Sequence, residues 1–297
     1  MENENKVNWG RVMILAGAVI AFTIGSGFAT GQEIIQYFTA YGVQGILTVL
    51  LFAVCFVYYN YKMCIRDRII TDSSTLYTMQ EGRDAGIESI PLCVSIGDSH
   101  GRDLQMEMQD FYRRIEEGQI PTSSQPPIGD VLDAYEQYKG RPILNISMAD
   151  GLSGTYQSAQ SAREMAENRD DIMVFNSRTL CGPHRYMVDQ ARKMAEEGRT
   201  RDEILTWLKA AAHKTESFLI PQDFSFLRRG GRLTPVAAAV GSLLKLKPIV
   251  KLTEDGKKLD KFGVKRTMSG AVDSIIRHLQ DKKLGARHLL YISHRCV

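Results

Sequence analysis

The sequence predicts an α/β protein in two parts, a parallel-sheet α/β domain followed by an α+β domain with antiparallel strands, preceded by two hydrophobic helices of membrane type. Three observations lead there. Of the 37 Lys and Arg and 34 Asp and Glu residues, only Glu33 falls between Val12 and Tyr61, so the charge belongs to the rest of the chain. From Ile69 onward short Ile- and Val-rich runs alternate with stretches of helical spacing, which argues for a parallel sheet covered on both faces. After Lys214 the alternation gives way to two strand-like runs around Asp255-Gly256, the pattern of an antiparallel pair.

Composition narrows the function classes. A net charge of +3 over 297 residues, with no block dense in Lys and Arg, gives no electrostatic reason to expect nucleic-acid binding. At 44% hydrophobic content the chain is too apolar and too evenly charged for disorder. The cysteines (Cys55, Cys64, Cys93, Cys181 and Cys296) are isolated, which argues against a zinc site or a secreted disulfide framework and suits a reducing compartment. No metal and no cofactor are expected.

The first element is the run from Val12 to Ile24, leading into Gly25-Ser-Gly-Phe-Ala-Thr-Gly31, and the second runs from Gly45 to about Tyr59. A membrane-spanning helix needs about 20 largely apolar residues, and the second run reaches that length if Tyr41 to Gln44 lies near the interface. A buried soluble hairpin is the alternative. Gly25, Gly27 and Gly31 do not fit a dinucleotide loop, because the run before them is too long for a strand. They fit a broken membrane helix or close helix packing through small residues. Ala16-Gly-Ala-Val-Ile20 with Gly25 to Ile34 resembles the opening of the YkvI-like membrane proteins, relatives of inverted-repeat transporters. The resemblance covers about 62 residues, too few to form a transport site.

In the body, Ile69-Ile-Thr-Asp-Ser-Ser74 reads as a strand entering a polar loop, with Asp72, Ser73 and Ser74 able to cap a helix. Ile90 to Ile96 is a second strand, and Leu104 to Glu117 is a helix with Met106, Phe111, Tyr112 and Ile115 inward. Pro142 to Ile146 is a third strand, followed by Gly151-Leu-Ser-Gly-Thr155 and a helix through Ala166. Ile172 to Phe175 and a helix from Tyr186 to Glu197 repeat the unit. In the second part Ser217 to Ile220 is strand-like, Phe224 to Arg232 a basic glycine-rich turn, and Ala237 to Leu244 a small-residue helix. Pro248 to Leu252 and Lys261 to Lys265 form the antiparallel pair, and a last strand begins near His288.

Three segments could carry chemistry. Pro121-Thr-Ser-Ser-Gln-Pro126 concentrates hydroxyls and an amide between prolines, though as composition it is simply a loop. Gly151-Leu-Ser-Gly-Thr155 offers the Ser153 and Thr155 hydroxyls at a helix N-terminus, fit for a carboxylate or phosphate and equally for a plain cap. Arg228, Arg229 and Arg232 with Gly230 and Gly231 suit an anion or an acidic partner, or a solvated basic turn. No catalytic set is legible. His184, His213, His278 and His288 read as surface or capping histidines, and a hydrolase would need a pair such as Ser153 with His184 to converge.

Taken in order, Thr71-Asp-Ser-Ser74, Thr122-Ser-Ser-Gln-Pro126, Gly151-Leu-Ser-Gly-Thr-Tyr-Gln-Ser158, Phe226-Leu-Arg-Arg-Gly-Gly-Arg232 and Gly241-Ser-Leu-Leu-Lys-Leu-Lys-Pro248 resemble the DegV family from about Ile69 to His294. The resemblance implies a two-domain fatty-acid-binding protein, not itself an enzyme. It would bury an acyl chain between its domains and present the carboxylate to a separate fatty-acid kinase. Ser123, Ser124 and Gln125 with Ser153, Gly154 and Thr155 would then hold the carboxylate, while Arg228, Arg229 and Arg232 would form the kinase-facing or head-group rim. Asn176 stands where the family usually has Asp, and Pro127 where it has Ser. The family's C-terminal His-x-Gly-Pro-Gly segment does not occur before Val297, which implies a truncated second domain and incomplete binding.

Met63-Cys-Ile-Arg-Asp-Arg68 and Arg295-Cys-Val297 resemble translations, in two frames, of the transposase end sequence used in sequencing libraries. A natural basic juxtamembrane segment is the alternative. The expected organisation is therefore a membrane hairpin fragment over residues 1–62, an artefactual junction over 63–68, an α/β domain over 69–213 and a truncated α+β domain over 214–297, a chimera of two genes. The DegV-like part would be cytoplasmic and the whole chain membrane-anchored through residues 12–61. The rival reading is a membrane transporter-class protein with a cytosolic ligand-sensing domain.

Overall fold

The computed structural model describes residues 54, 68–239, 246–282 and 288–292. The chain divides between Cys64 and Ile65, and the unit from Ile65 onward is the one described. The expected membrane helices over residues 12–61 lie outside the described residues, as does all of the expected junction except Arg68. Among the described residues no helix is long and apolar enough to cross a membrane.

The parallel sheet forms from β1 (Arg68–Asp72), β2 (Glu88–Ile90), β6 (Ile143–Ser147) and β7 (Ile172–Asn176), in the order β2-β1-β6-β7. It begins with Arg68, one residue before the expected domain start: the Arg68 guanidinium donates to the Tyr138 hydroxyl at 2.7 Å and lies over its ring. Adjacent strand residues point to opposite faces. Ile69 therefore joins Leu144, Met187, Val188, Ile204 and Leu208 under α5 (Cys181–Glu196) and α6 (Arg201–Lys214). Ile70 joins Val131, Tyr135, Ile143, Ala159 and Ala162 under α3 (Ile128–Gln137) and α4 (Thr155–Met165). Full burial of each large aliphatic side chain stabilises by about 1.5–3 kcal/mol, so these two faces hold the layers together. A Thr200–Glu203 capping box fixes the start of α6.

The crossover from β1 to β2 carries α1 (Met79–Asp84). After β2 the chain departs from expectation. Ile90 to Ile96 is not one strand, because Pro91, which has no backbone N–H, separates β2 from β3 (Cys93–Ile96). β3 joins a separate antiparallel sheet, in the order β4-β3-β5, with β4 (Ser99–Arg102) and β5 (Pro121–Ser124). Pro121 to Ser124 is thus strand, not loop, with Ser123 opposite Val94 and Ser124 opposite Cys93. Leu104 adopts φ 68°, and the helix starts after it as α2 (Met108–Glu116), none of whose residues is buried. Phe111, Tyr112 and Ile115 are half-buried instead of inward.

Beyond Lys214 a second antiparallel sheet, in the order β10-β9-β8, forms from β8 (Phe218–Leu219), β9 (Lys247–Leu252) and β10 (Leu259–Lys265). The expected basic turn is helical over α7 (Phe224–Arg229), because the Asp223 side chain caps Ser225 N and the chain bends only at Gly230-Gly231. The small-residue helix begins earlier than expected, as α8 (Pro235–Ala239), and residues 240–245 lie outside the described residues. α9 (Met268–Asp281) follows β10, capped by Thr267. Residues 288–292 form no strand.

Among the described residues the two lobes share an apolar cluster, with Met148, Ala149 and Leu152 on one side and Leu233, Ala237, Val250, Leu252 and Leu259 on the other. Asp150 pairs with Lys257 above it, and a Cβ on Gly151 would lie 2.2 Å from Lys257 Cα. The loop after β6 and the β9–β10 turn touch backbone to backbone.

Candidate functional site

From β1 the chain builds the sheet to one side through β2 and later to the other side through β6. The carboxyl ends of β1 and β6 therefore flank a topological switch point, the usual ligand crevice of an open parallel sheet. A small recess lies there, lined by Thr71, Asp72, Ile90, Pro126, Val131, Asn145, Ser147, Thr155 and Ala159. The recess has room for about one water molecule, so a head group enters it only if its walls move apart, and a long chain has to lie elsewhere.

Its polar groups are held firmly. Asp72 accepts from Ser74 N at 3.0 Å and from Met148 N at 2.9 Å, one backbone donor on each oxygen. Ser147 donates to Asn145 Oδ1 at 3.0 Å and Asn145 donates to the Tyr135 hydroxyl at 2.8 Å. Burial pushes the Tyr135 phenol well above its ordinary range, so it serves as a neutral donor, to Ala159 O. Ser73 accepts from Leu92 N at 3.1 Å, which anchors the turn after β1 to the link between β2 and β3.

His184 is fully buried, not a surface or capping residue. Its Nε2 lies 3.0 Å from Ile146 O, which can only accept, so the proton sits on Nε2 and Nδ1 accepts from Ser74 Oγ at 3.0 Å. Burial lowers its pKa against the opposing pull of Asp72. The pairing of Ser153 with His184 does not form: both ring nitrogens are taken, and the Ser153 hydroxyl meets Thr155 Oγ1 at 2.8 Å. A periodic signal existed for His184, since it shares a helical stripe with Met187, Val188, Ala191 and Ala195.

Of the residues singled out in the sequence, Thr155 lines the cavity, with Ser153 bonded to it and Gly154 capping the same helix. Gln125 joins them from the other segment, its Cδ 3.0 Å from where a Cβ on Gly154 would stand. Ser123 and Ser124 lie exposed along β5, outside the cavity lining. Arg232 reaches back to the cavity loop, donating to Leu152 O at 2.9 Å. Arg229 folds onto Ser225 and the Phe226 ring, and Arg228 is exposed. Sequence reasoning passed over Asp72 as more than a cap, and over Thr71, Asn145 and Ser147, because only the fold carries these strand ends to one point. Among the described residues no His, Cys, Asp and Glu cluster could hold a metal ion.

Residues 67–296 match the sequence model of the DegV family of uncharacterised proteins, a span that takes in Arg295 and Cys296. Protein DegV of Bacillus subtilis is 31% identical over 220 residues, covering 72% of this chain and 76% of the relative. A DegV domain-containing protein of Listeria monocytogenes is 31% identical over 217 residues, covering 71% and 76%. Among solved structures, DegV of Bacillus subtilis, a fatty acid binding protein, superimposes with a TM-score of 0.63 at 29% identity over 73% of this chain and 78% of that one. A fatty-acid-binding DegV family protein of Thermus thermophilus gives 0.65 at 26% identity, covering 73% and 77%.

Proposed function

The chain belongs to the DegV family, and from that premise we propose that it is a fatty-acid-binding protein whose ligand sets its carboxyl end in the switch-point cavity. The observation that carries this reading is the cavity's construction. Hydroxyl and amide groups of Thr71, Asn145, Ser147 and Thr155 line it, while the apolar contact between the lobes adjoins it through Met148, next in the chain to Ser147. The space is too small for a long acyl chain, so the chain runs between the lobes, parting Leu152 from Leu233 and their neighbours. Ser153, Gly154, Thr155 and Gln125 frame the head group, with Ser123 and Ser124 on the approach.

The ligand is held for chemistry done elsewhere: a fatty-acid kinase docks at the rim formed by Arg228, Arg229 and Arg232. In this reading the α/β lobe spans 69–213, the α+β lobe begins at 214, and the DegV part acts in the cytoplasm. Residues 1–62 are a transporter-type fragment joined at 63–68. Long reads across the codons for Tyr61 to Ile69 test that join; one uninterrupted genomic gene without the transposase end sequence contradicts it.

Extraction of the purified protein with organic solvent, followed by mass spectrometry, tests the ligand class. Near-stoichiometric fatty acid is expected. An extract without fatty acid, together with no uptake of added palmitate, contradicts the reading.

A further inference from the structure

Resting on the fatty-acid reading above, we propose that the loop between β6 and α4 is a latch on the recess. Lys257 and Arg232 fasten it from the α+β lobe, and a head group enters when that lobe releases it. The recess has room for about one water molecule, so its wall has to yield. Thr71, Asp72, Ile90, Asn145 and Ser147 stand on hydrogen-bonded strands, and Val131 and Ala159 belong to the core under α3 and α4. Of the described lining, that leaves Pro126 and Thr155. Thr155 is the first residue of α4, and the loop from Met148 to Gly154 carries it.

The α/β lobe anchors this loop where it leaves β6, through Met148 N to Asp72 and Ala149 N to Thr179 O, both at 2.9 Å. The next three residues are gripped by the other lobe. Asp150 forms an ion pair with Lys257, Gly151 lies so close that a Cβ would stand 2.2 Å from Lys257 Cα, and Leu152 O accepts from Arg232 Nε at 2.9 Å. The Leu152 side chain, 8% exposed, packs with Leu233. Both holders are tied to the antiparallel sheet. Thr253 N donates to Lys258 O at 2.9 Å and Gly256 N to Thr253 O at 2.8 Å, closing the turn that carries Lys257, while Leu259 N donates to Arg232 O at 2.9 Å. The loop therefore swings away from the recess only if these contacts break or the lobe travels with it. Such a fastening opens readily. Lys257 is exposed, where an ion pair contributes little, and Arg232 adds a hydrogen bond to a neutral carbonyl; ligand gates are drawn from segments held this lightly.

Because the latch closes again over the bound ligand, loosening it lowers the barrier in both directions and leaves affinity alone. The test is stopped-flow fluorescence of the delipidated full chain with cis-parinaric acid, a fluorescent fatty acid, with dissociation followed by displacement with excess palmitate. In Lys257→Met combined with Arg232→Met, both rate constants are expected to rise about threefold to tenfold, the worth of roughly one hydrogen bond, with Kd within about twofold of wild type. Lys257→Arg, which keeps the charge, should stay near the wild-type rates. Ile204→Val trims the core on the other face of the parallel sheet; it controls for general loosening and should leave both rates unchanged. Unchanged rates in the double variant overturn the proposal, as does an equal acceleration in Ile204→Val. Faster dissociation with unchanged association makes Lys257 and Arg232 ligand-holding groups and overturns it too. Each of these outcomes leaves the fatty-acid reading standing, whereas no binding of parinarate or palmitate to the wild type overturns both. If the double variant does not fold, Lys257→Met alone and Asp150→Asn decide, each with a smaller rise expected in both rates.

Discussion

Ser74 and His184, 110 residues apart, are joined by a hydrogen bond of 3.0 Å that ties the turn after β1 to the first turns of α5. The ring is neutral there because Nε2 carries the proton toward Ile146 O and burial disfavours the charged form.

That neutrality has a pH consequence. The unfolded chain protonates this histidine near pH 6.5, while the folded chain does so only at lower pH. The contribution is therefore complete above about pH 6.5 and is lost as pH falls below it, since the unfolded state then binds more protons. Urea unfolding at pH 7 and pH 5 is expected to show a lower midpoint at pH 5, with a smaller drop in His184→Gln. An equal drop in the variant contradicts this.

Glu216 titrates in a different window. Burial works against its ionisation, but hydrogen bonds from Lys282, Lys251 and His278 outweigh burial and bring its pKa to about 2. Its contribution is present above the ordinary glutamate range and is lost as pH falls toward 2. Glu216→Gln should cost about 1 kcal/mol at pH 7, allowing for solvent screening, and about a quarter of that at pH 2.5. Chemical denaturation at both pH values checks it, and an equal cost at both contradicts it.

Gly151→Ala should destabilise by about 1–3 kcal/mol, the range for forced overpacking, because its Cβ would strike the Lys257 backbone, which cannot swing aside. Gly129→Ala in the first turn of α3 meets nothing within 4 Å and should stabilise by at most about 0.5 kcal/mol, the low end of the helix-interior range. Thermal unfolding of the two variants should move in opposite directions.

At the site, Thr155→Val keeps the shape and removes a hydroxyl from the cavity wall. It should weaken fatty-acid binding about fivefold to tenfold, the worth of roughly one hydrogen bond. Arg228→Ser with Arg229→Ser should leave that affinity unchanged and abolish kinase-dependent phosphorylation of the bound ligand. Loss of ligand affinity in the arginine variant contradicts the division of labour.

How far the sequence disclosed this molecule depended on how local each signal was. The parallel sheet was legible because Ile69-Ile70 in β1, Ile143, Leu144 and Ile146 in β6 and Ile172 to Phe175 in β7 place apolar side chains on both faces, as strands covered on both sides do. β3 and β5 were not separable in sequence: Pro91 looked like an interruption within one strand, and the hydroxyl-rich Pro121 to Ser124 has no apolar face to mark it. Gln125, Gly154 and Thr155 stood out as motif residues, but their meeting is a tertiary fact. Asp72, Asn145 and Ser147 were hidden for the opposite reason. A polar residue at a strand end looks like a cap, and one inside a strand, like Asn145 in β6, looks like a flaw in the apolar pattern, until the strand order sets β1 and β6 side by side.

The most direct test of the central claim is equilibrium titration of the delipidated 297-residue chain with radiolabelled palmitate, run beside Thr155→Val. Saturation at one palmitate per chain, with at least fivefold weaker binding in the variant, is the predicted result. Palmitate that binds without saturation, or equally well to both proteins, would contradict the assignment of the switch-point cavity as its site.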